Sequence, residues 1–168
     1  VVHNPQVVAQ LKEKGLDVIA SPDEVADLPV AITAHGVSEA VVKELEGRGV
    51  PVLDTTCPIV TRSQQWAKRL VDEGYAVIVF GDPNHKEVRG VLGWAEGKAF
   101  AVPNIGALDA LPDDLPSRIG VLSQTTETEV HFAEFVRAQL ERRMDRISEL
   151  RVINTLCNAT TSQQAAAQ

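Results

Sequence analysis

Long hydrophobic runs are missing from this 168-residue sequence. None approaches the roughly 20 apolar residues that a bilayer-spanning helix needs, which excludes an integral helical membrane protein. Basic residues are in deficit, with 16 Lys plus Arg against 23 Asp plus Glu and a formal net charge of −7. That balance argues against a nucleic-acid binder that neutralises phosphates along a broad surface. It leaves room for a small anionic ligand, which a handful of local donors can hold. Cysteine is scarce: Cys57 and Cys157 are too few for a disulfide-stapled secreted scaffold. No CxxC pair or short zinc-finger spacing occurs, and His85-Lys86-Glu87 is an H-x-E without the P-C-x-x-C of a zinc deaminase. No charged segment followed by an apolar one marks a signal peptide. The chain opens on Val1-Val2-His3-Asn4-Pro5 without an initiator methionine and closes on Gln163-Gln164-Ala165-Ala166-Ala167-Gln168, a stretch that reads as the start of a helix. The expectation is an internal piece of a longer protein.

What is present is the composition of a globular domain, 44% hydrophobic and 23% charged, in a length that can bury a real core. One pattern recurs: a short β-branched apolar run, a small polar loop bearing His, Cys, Gln or Thr, then a helical period. Val30–Thr33, Val50–Leu53, Ala76–Phe80, Ile119–Leu122 and Val152-Ile153 are the apolar runs. Helices are expected over Glu39–Arg48, from Pro58 to about Glu73, from about Glu87, and through Arg142. Gly15, Gly49 and Gly74 stand where helices should stop, Pro58 suits a first helical turn, and Asp109–Arg118, with Pro112 and Pro116, reads as a loop. Continuous apolar strands alternating with helices indicate βαβ units. The fold expected is α/β, with repeated small units and mainly parallel sheets rather than one large sheet. Polar residues then collect at the carboxyl ends of the strands, facing helix N-termini, where a phosphate-bearing ligand is the natural guest.

His3, His35 and His85 all fall in these loops, and together they suggest one shared anion site. His131 lies within a helix and reads as an ordinary helix histidine. Cys57 and Cys157 stand in equivalent places, each after a strand and before a helical segment. A buried structural role and ligation of a metal or cluster by a helix-terminal thiolate are both open for them. Glu87 suits a helix first turn on dipole grounds alone; it could also be a proton donor beside an anion-binding histidine. Gln124, Thr125 and Thr126 could cap a helix or offer groups to a substrate.

Taken in order, Val2-His3-Asn4, Ala34-His35-Gly36-Val37-Ser38, Asp54-Thr55-Thr56-Cys57-Pro58, His85-Lys86-Glu87-Val88, Ser123-Gln124-Thr125-Thr126 and Cys157-Asn158-Ala159-Thr160-Thr161 span essentially the whole chain. The set resembles the 4-hydroxy-3-methylbut-2-enyl diphosphate reductase family, iron–sulfur enzymes of the methylerythritol phosphate route to isoprenoids. The resemblance implies three pseudo-symmetric α/β units around a 4Fe–4S cluster, each unit supplying one cysteine and one iron left open. It further implies reductive removal of an allylic hydroxyl as water, with two electrons and two protons, giving isopentenyl and dimethylallyl diphosphates. By the same resemblance Cys57 and Cys157 are two cluster ligands, His3, His35 and His85 surround the diphosphate, Glu87 delivers protons, and Thr125 is its hydrogen-bonding neighbour at the substrate. The family's first cysteine precedes its Val-His-Asn motif, so the third ligand lies outside this chain. The Ser-x-Asn segment that closes over the diphosphate belongs to a third unit of which only the beginning is here. The implied units are residues 1–57, 58–150 and 151–168. The implied electron donor is ferredoxin, flavodoxin, or NAD(P)H through a reductase, and the implied location is the bacterial cytoplasm, or a plastid. The competing expectation is a phosphate-binding α/β module without catalysis.

Overall fold

The computed structural model describes residues 4–166. Helix α1 (Pro5–Glu13) starts where the Asn4 side chain accepts the N–H groups of Gln6 and Val7. Two short strands follow, β1 (Val30–Ile32) and β2 (Val52–Asp54), joined through α2 (Glu39–Gly47) and paired in parallel with Val30 opposite Val52. Helix α3 (Pro58–Asp72) leads into a second sheet made of β3 (Ala76–Phe80), β4 (Ala99–Val102), β5 (Arg118–Ser123) and β6 (Glu149–Val152). Its order is β4-β3-β5-β6 and every neighbouring pair is parallel. Helices α4 (Lys86–Gly93) and α5 (Glu129–Arg143) connect its strands, and α6 (Asn158–Ala166) follows β6. The fold is α/β, with a two-stranded and a four-stranded parallel sheet. No described helix is long and apolar enough to cross a membrane.

Alternation along β3 divides the core. Ala76, Ile78 and Phe80, with Ile119 and Val121, pack against Phe132 and Phe135 of α5. Val77 and Val79, with Leu122, pack against Leu70 and Val71 of α3 and Val88 and Val91 of α4. Every residue of β3 is buried because helices cover both faces, the reason its sequence is an unbroken apolar run.

Two strands differ from the sequence expectation. β4 was not anticipated: Ala-Phe-Ala-Val is short, and as an edge strand it takes its place from pairing with β3 more than from its own composition. β6 begins at Glu149 rather than Val152: Glu149 and Arg151 interrupt the apolar run, Glu149 bonding Arg118 of β5 and Arg151 bonding Glu73 at the end of α3. It therefore crosses the expected boundary between residues 150 and 151. The 109–118 segment begins inside a 3-10 turn (Ile105–Ala110) and ends in β5.

From β3 the chain moves outward to β4, and from β5 it moves the opposite way to β6. The carboxyl ends of β3 and β5 thus flank a topological switch point, the place where open α/β sheets form a ligand crevice.

Candidate active site

The loop after β3 ends in His85, which caps α4: its Nδ1 accepts the Glu87 N–H at 3.2 Å. With Nδ1 accepting, a neutral ring has Nε2 as its donor nitrogen. One half-turn on, Glu87 points back toward the sheet and is 3% exposed. Its carboxylate accepts the Thr125 N–H at 2.7 Å and the Thr125 hydroxyl at 2.8 Å. Thr125 belongs to the loop after β5, so this pairing closes the switch point. Gln124 ties the same two loops together: its Oε1 accepts the Asp82 N–H at 3.1 Å and its Nε2 donates to the Thr126 hydroxyl at 3.0 Å.

The loop after β6 joins from the other side. Thr155, 1% exposed, has a hydroxyl that accepts the Ser123 N–H at 2.9 Å and donates to the Ser123 carbonyl at 2.7 Å. It thereby continues the β5–β6 pairing with a side chain after the ladder has ended. Two residues later the Cys157 N–H reaches the Thr125 carbonyl at 2.8 Å. The Thr160 N–H, and after it the Thr160 hydroxyl, hold the Cys157 thiol below the ordinary thiol range, against the opposing effects of burial and of the nearby Glu87 carboxylate.

From the two-stranded sheet come His35 and Cys57. The loop after β1 brings the His35 ring to 5.4 Å from that of His85, edge to face at 77°. Cys57 is the N-cap residue of α3, and its N–H bonds the Ala34 carbonyl at 3.0 Å. Neither cysteine is in a disulfide, and both are half-buried. A continuous series of contacts therefore runs from Cys57 through the His35 loop, His85, Glu87 and Thr125 to Cys157, all of it at strand carboxyl ends.

Of the site residues expected from sequence, His35, His85, Glu87, Thr125, Cys57 and Cys157 share this edge. His3 lies outside the described residues. His131 is exposed on α5 and lines a separate cavity of about 550 Å³ with Phe80, Asn104, Glu127 and Glu134, none of which belongs to the polar cluster. Among the described residues no group of three or more His, Cys, Asp and Glu side chains is disposed to hold a metal ion. Sequence reasoning assigned no role to Thr155 or Thr160. The threonines on either side of Cys157, at 155, 160 and 161, were the only signal.

The arrangement gathers two imidazole rings, the N-terminus of α4, a buried carboxyl group held by Thr125, and two thiols. The family model described as LytB protein matches residues 1–168. The chain belongs to the LytB family. This LytB chain is 43% identical over 166 residues to a 4-hydroxy-3-methylbut-2-enyl diphosphate reductase of Dehalococcoides mccartyi, a match covering 99% of the chain and 58% of that relative. It is 37% identical over 169 residues to the reductase of an Anaeromyxobacter species, covering 100% of the chain and 57% of the relative. The solved reductase from Plasmodium falciparum superposes with a TM-score of 0.87 at 27% identity, over 98% of the LytB chain and 51% of that structure. A second solved structure, titled as the terminal enzyme of the non-mevalonate pathway, superposes with a TM-score of 0.78 at 32% identity, over 98% and 57%. The LytB chain thus spans a little over half the length of the relatives it matches.

Proposed function

We propose that this LytB chain is the part of a 4-hydroxy-3-methylbut-2-enyl diphosphate reductase that holds the substrate's diphosphate, delivers a proton to its leaving hydroxyl, and supplies two of three cluster ligands. The observation that carries the reading is the buried Glu87 carboxylate. It is held by two Thr125 donors beside His85 and backed by Cys157.

His35 and His85 donate to diphosphate oxygens, and the N-terminus of α4 adds its unpaired N–H groups to the same charge. This anchors the allylic end of the substrate toward the inner part of the crevice. Glu87, shielded from bulk water, passes its proton to the departing hydroxyl, so that water leaves instead of hydroxide. The Thr125 N–H and hydroxyl then hold the carboxylate that remains, and they keep its orientation for the next proton.

The cysteines fit the cluster the family implies. Cys157 is biased to thiolate by Thr160, and Cys57 stands at the head of α3 with no side-chain bond to the helix cap. Two thiolates are too few for a 4Fe–4S cluster with one open iron, so the third comes from outside this chain. When bound, the cluster would relay the two electrons one at a time from an external donor and would supply Lewis-acid chemistry beside the leaving hydroxyl. The electrons enter from ferredoxin, flavodoxin, or NAD(P)H through a reductase, in a bacterial cytoplasm.

Iron and sulfide analysis of the anaerobically prepared complete gene product, with a turnover assay on the allylic diphosphate, tests the reading. Four irons and formation of the two isopentenyl-type diphosphates are expected. A protein that binds inorganic diphosphate but neither holds iron nor converts the substrate is a phosphate-binding module, and the reading is then wrong.

A further inference from the structure

The loop bearing His35 belongs to the two-stranded sheet, yet the groups that fix it come from α3 and α4. The Val37 carbonyl accepts two hydrogen bonds, from Trp94 Nε1 at 2.9 Å and from Gln64 Nε2 at 3.3 Å. Both lone pairs of one carbonyl are engaged by side chains from the neighbouring layer. Gln64 is 5% exposed, so the bond to Val37 also satisfies a buried amide.

The approach around this pin is close. A Cβ at Gly93 would stand 2.2 Å from Ser38 Cβ, and one at Gly36, where φ is +67°, would stand 2.4 Å from Gln64 Nε2. At Gly90 a Cβ would lie 3.5 Å from the His35 carbonyl oxygen. Gly90 and Gly93 are one helical turn apart on α4 and let the 35–38 loop rest on the helix. Lys68 of α3 bonds Glu39 at 3.1 Å across the same seam. The seam ends at the His35–His85 contact, and His85 caps the very helix whose other end is Trp94. One short, stiff rod thus fixes His85 directly and His35 through the Val37 carbonyl.

We propose that Trp94 and Gln64 are positioning residues: by pinning the Val37 carbonyl they set the spacing of His35 from His85, and with it the affinity of the site for a diphosphate. This rests on the reading of those histidines as diphosphate donors. Donors that must meet one anion together lose much of their effect when one is displaced by about an ångström.

The test uses the complete gene product and inorganic diphosphate, with affinity measured by calorimetry and stability by thermal melting. Trp94→Phe keeps the ring and removes the N–H; Gln64→Leu keeps the volume and removes the amide donor. Each is expected to weaken diphosphate binding roughly three- to tenfold, the effect of one hydrogen bond. In a His35→Ala background, Trp94→Phe is expected to add almost nothing, because it acts through His35. Phe135→Leu, in the core on the sheet face opposite α3 and α4, is expected to lower the melting temperature and leave the affinity unchanged. Wild-type affinity in both seam variants, with His35→Ala weakened, overturns the positioning proposal and leaves the histidine reading standing. So does a Trp94→Phe loss that recurs in full without His35, or affinity that merely tracks melting temperature in all variants. Wild-type affinity in His35→Ala overturns both.

Discussion

Among residues 4–57 only Ile32 and Leu45 are buried hydrophobic residues, whereas β3 alone, in the following part of the chain, buries all five of its positions. Leu16, Val18, Leu28 and Leu53 are 50%, 76%, 68% and 64% exposed in the first region. The same strand–loop–helix unit is used in both, and the sequence pattern is similar. The difference is coverage: β3 and β5 have helices on both faces, while the β1–β2 pair has little packed against it. A unit becomes stiff when its apolar faces are covered, and what it cannot generate it must borrow. The Glu87 side of the site stands on a closed core, while the His35 side is held by bonds reaching over from α3 and α4.

Glu87→Gln addresses the stiff side and carries the largest expected effect. In the complete gene product, and on the role proposed for Glu87, it keeps shape but removes the proton to be transferred. It should lower turnover by roughly 10²–10⁴-fold with substrate affinity little changed. Normal single-turnover reduction would return Glu87 to a purely structural role at the head of α4.

Stability should divide along the same line. Phe135 is fully buried and stacks on Phe80 with ring centroids 4.5 Å apart, so Phe135→Ala should cost about 3–5 kcal/mol in denaturant unfolding. A loss below about 1 kcal/mol would mean that the second sheet is not the stabilising core.

His35→Ala tests the borrowed side. Its effect should fall on substrate binding, about 1.5–3 kcal/mol for a charge-assisted bond, with the rate of the bound complex largely kept. An equal loss in single-turnover rate at saturation would place His35 at the chemistry instead.

The second sheet is also locked at its other edge. There Glu149 bonds the Tyr75 hydroxyl and the Arg118 and Arg151 guanidinium groups, with both arginines stacked over the Tyr75 ring. The Tyr75 hydroxyl first, and Arg118 next, hold the Glu149 carboxyl below the ordinary carboxylate range. In the unfolded chain it returns to that range. Its stabilising effect is therefore complete above the ordinary carboxylate pKa and disappears as pH falls through the lower folded value. Glu149→Gln should lower the melting temperature at neutral pH and flatten its fall in acid. An unchanged acid slope would show that this edge contributes nothing to the pH dependence.

Leu53→Ala should have the smallest effect, within about 0.5 kcal/mol, because the side chain is already largely in water. A cost near that of Phe135→Ala would erase the contrast between the two regions.

Much of this architecture could be read from local pattern. The β-branched run 76–80, the Pro at the head of α3, and the glycines that end α2 and α3 each state their conformation within a few residues. Propensity and capping are short-range effects, so strands, helices and the polar loops between them were visible in sequence, as were His35, His85, Glu87, Thr125 and both cysteines as loop or helix-head residues. β4 was not visible, since an edge strand with one partner needs no strong pattern. Neither was β6's true start, where Glu149 and Arg151 hide the strand behind charges satisfied elsewhere. Bare sequence also could not say which loops meet. Glu87 and Thr125 are 38 residues apart, and Val37 and Trp94 are 57. Those meetings follow from the order of strands in the sheet and from which helix covers which face. Both are decided by burying apolar surface far apart in the chain, and no local window of residues contains that information.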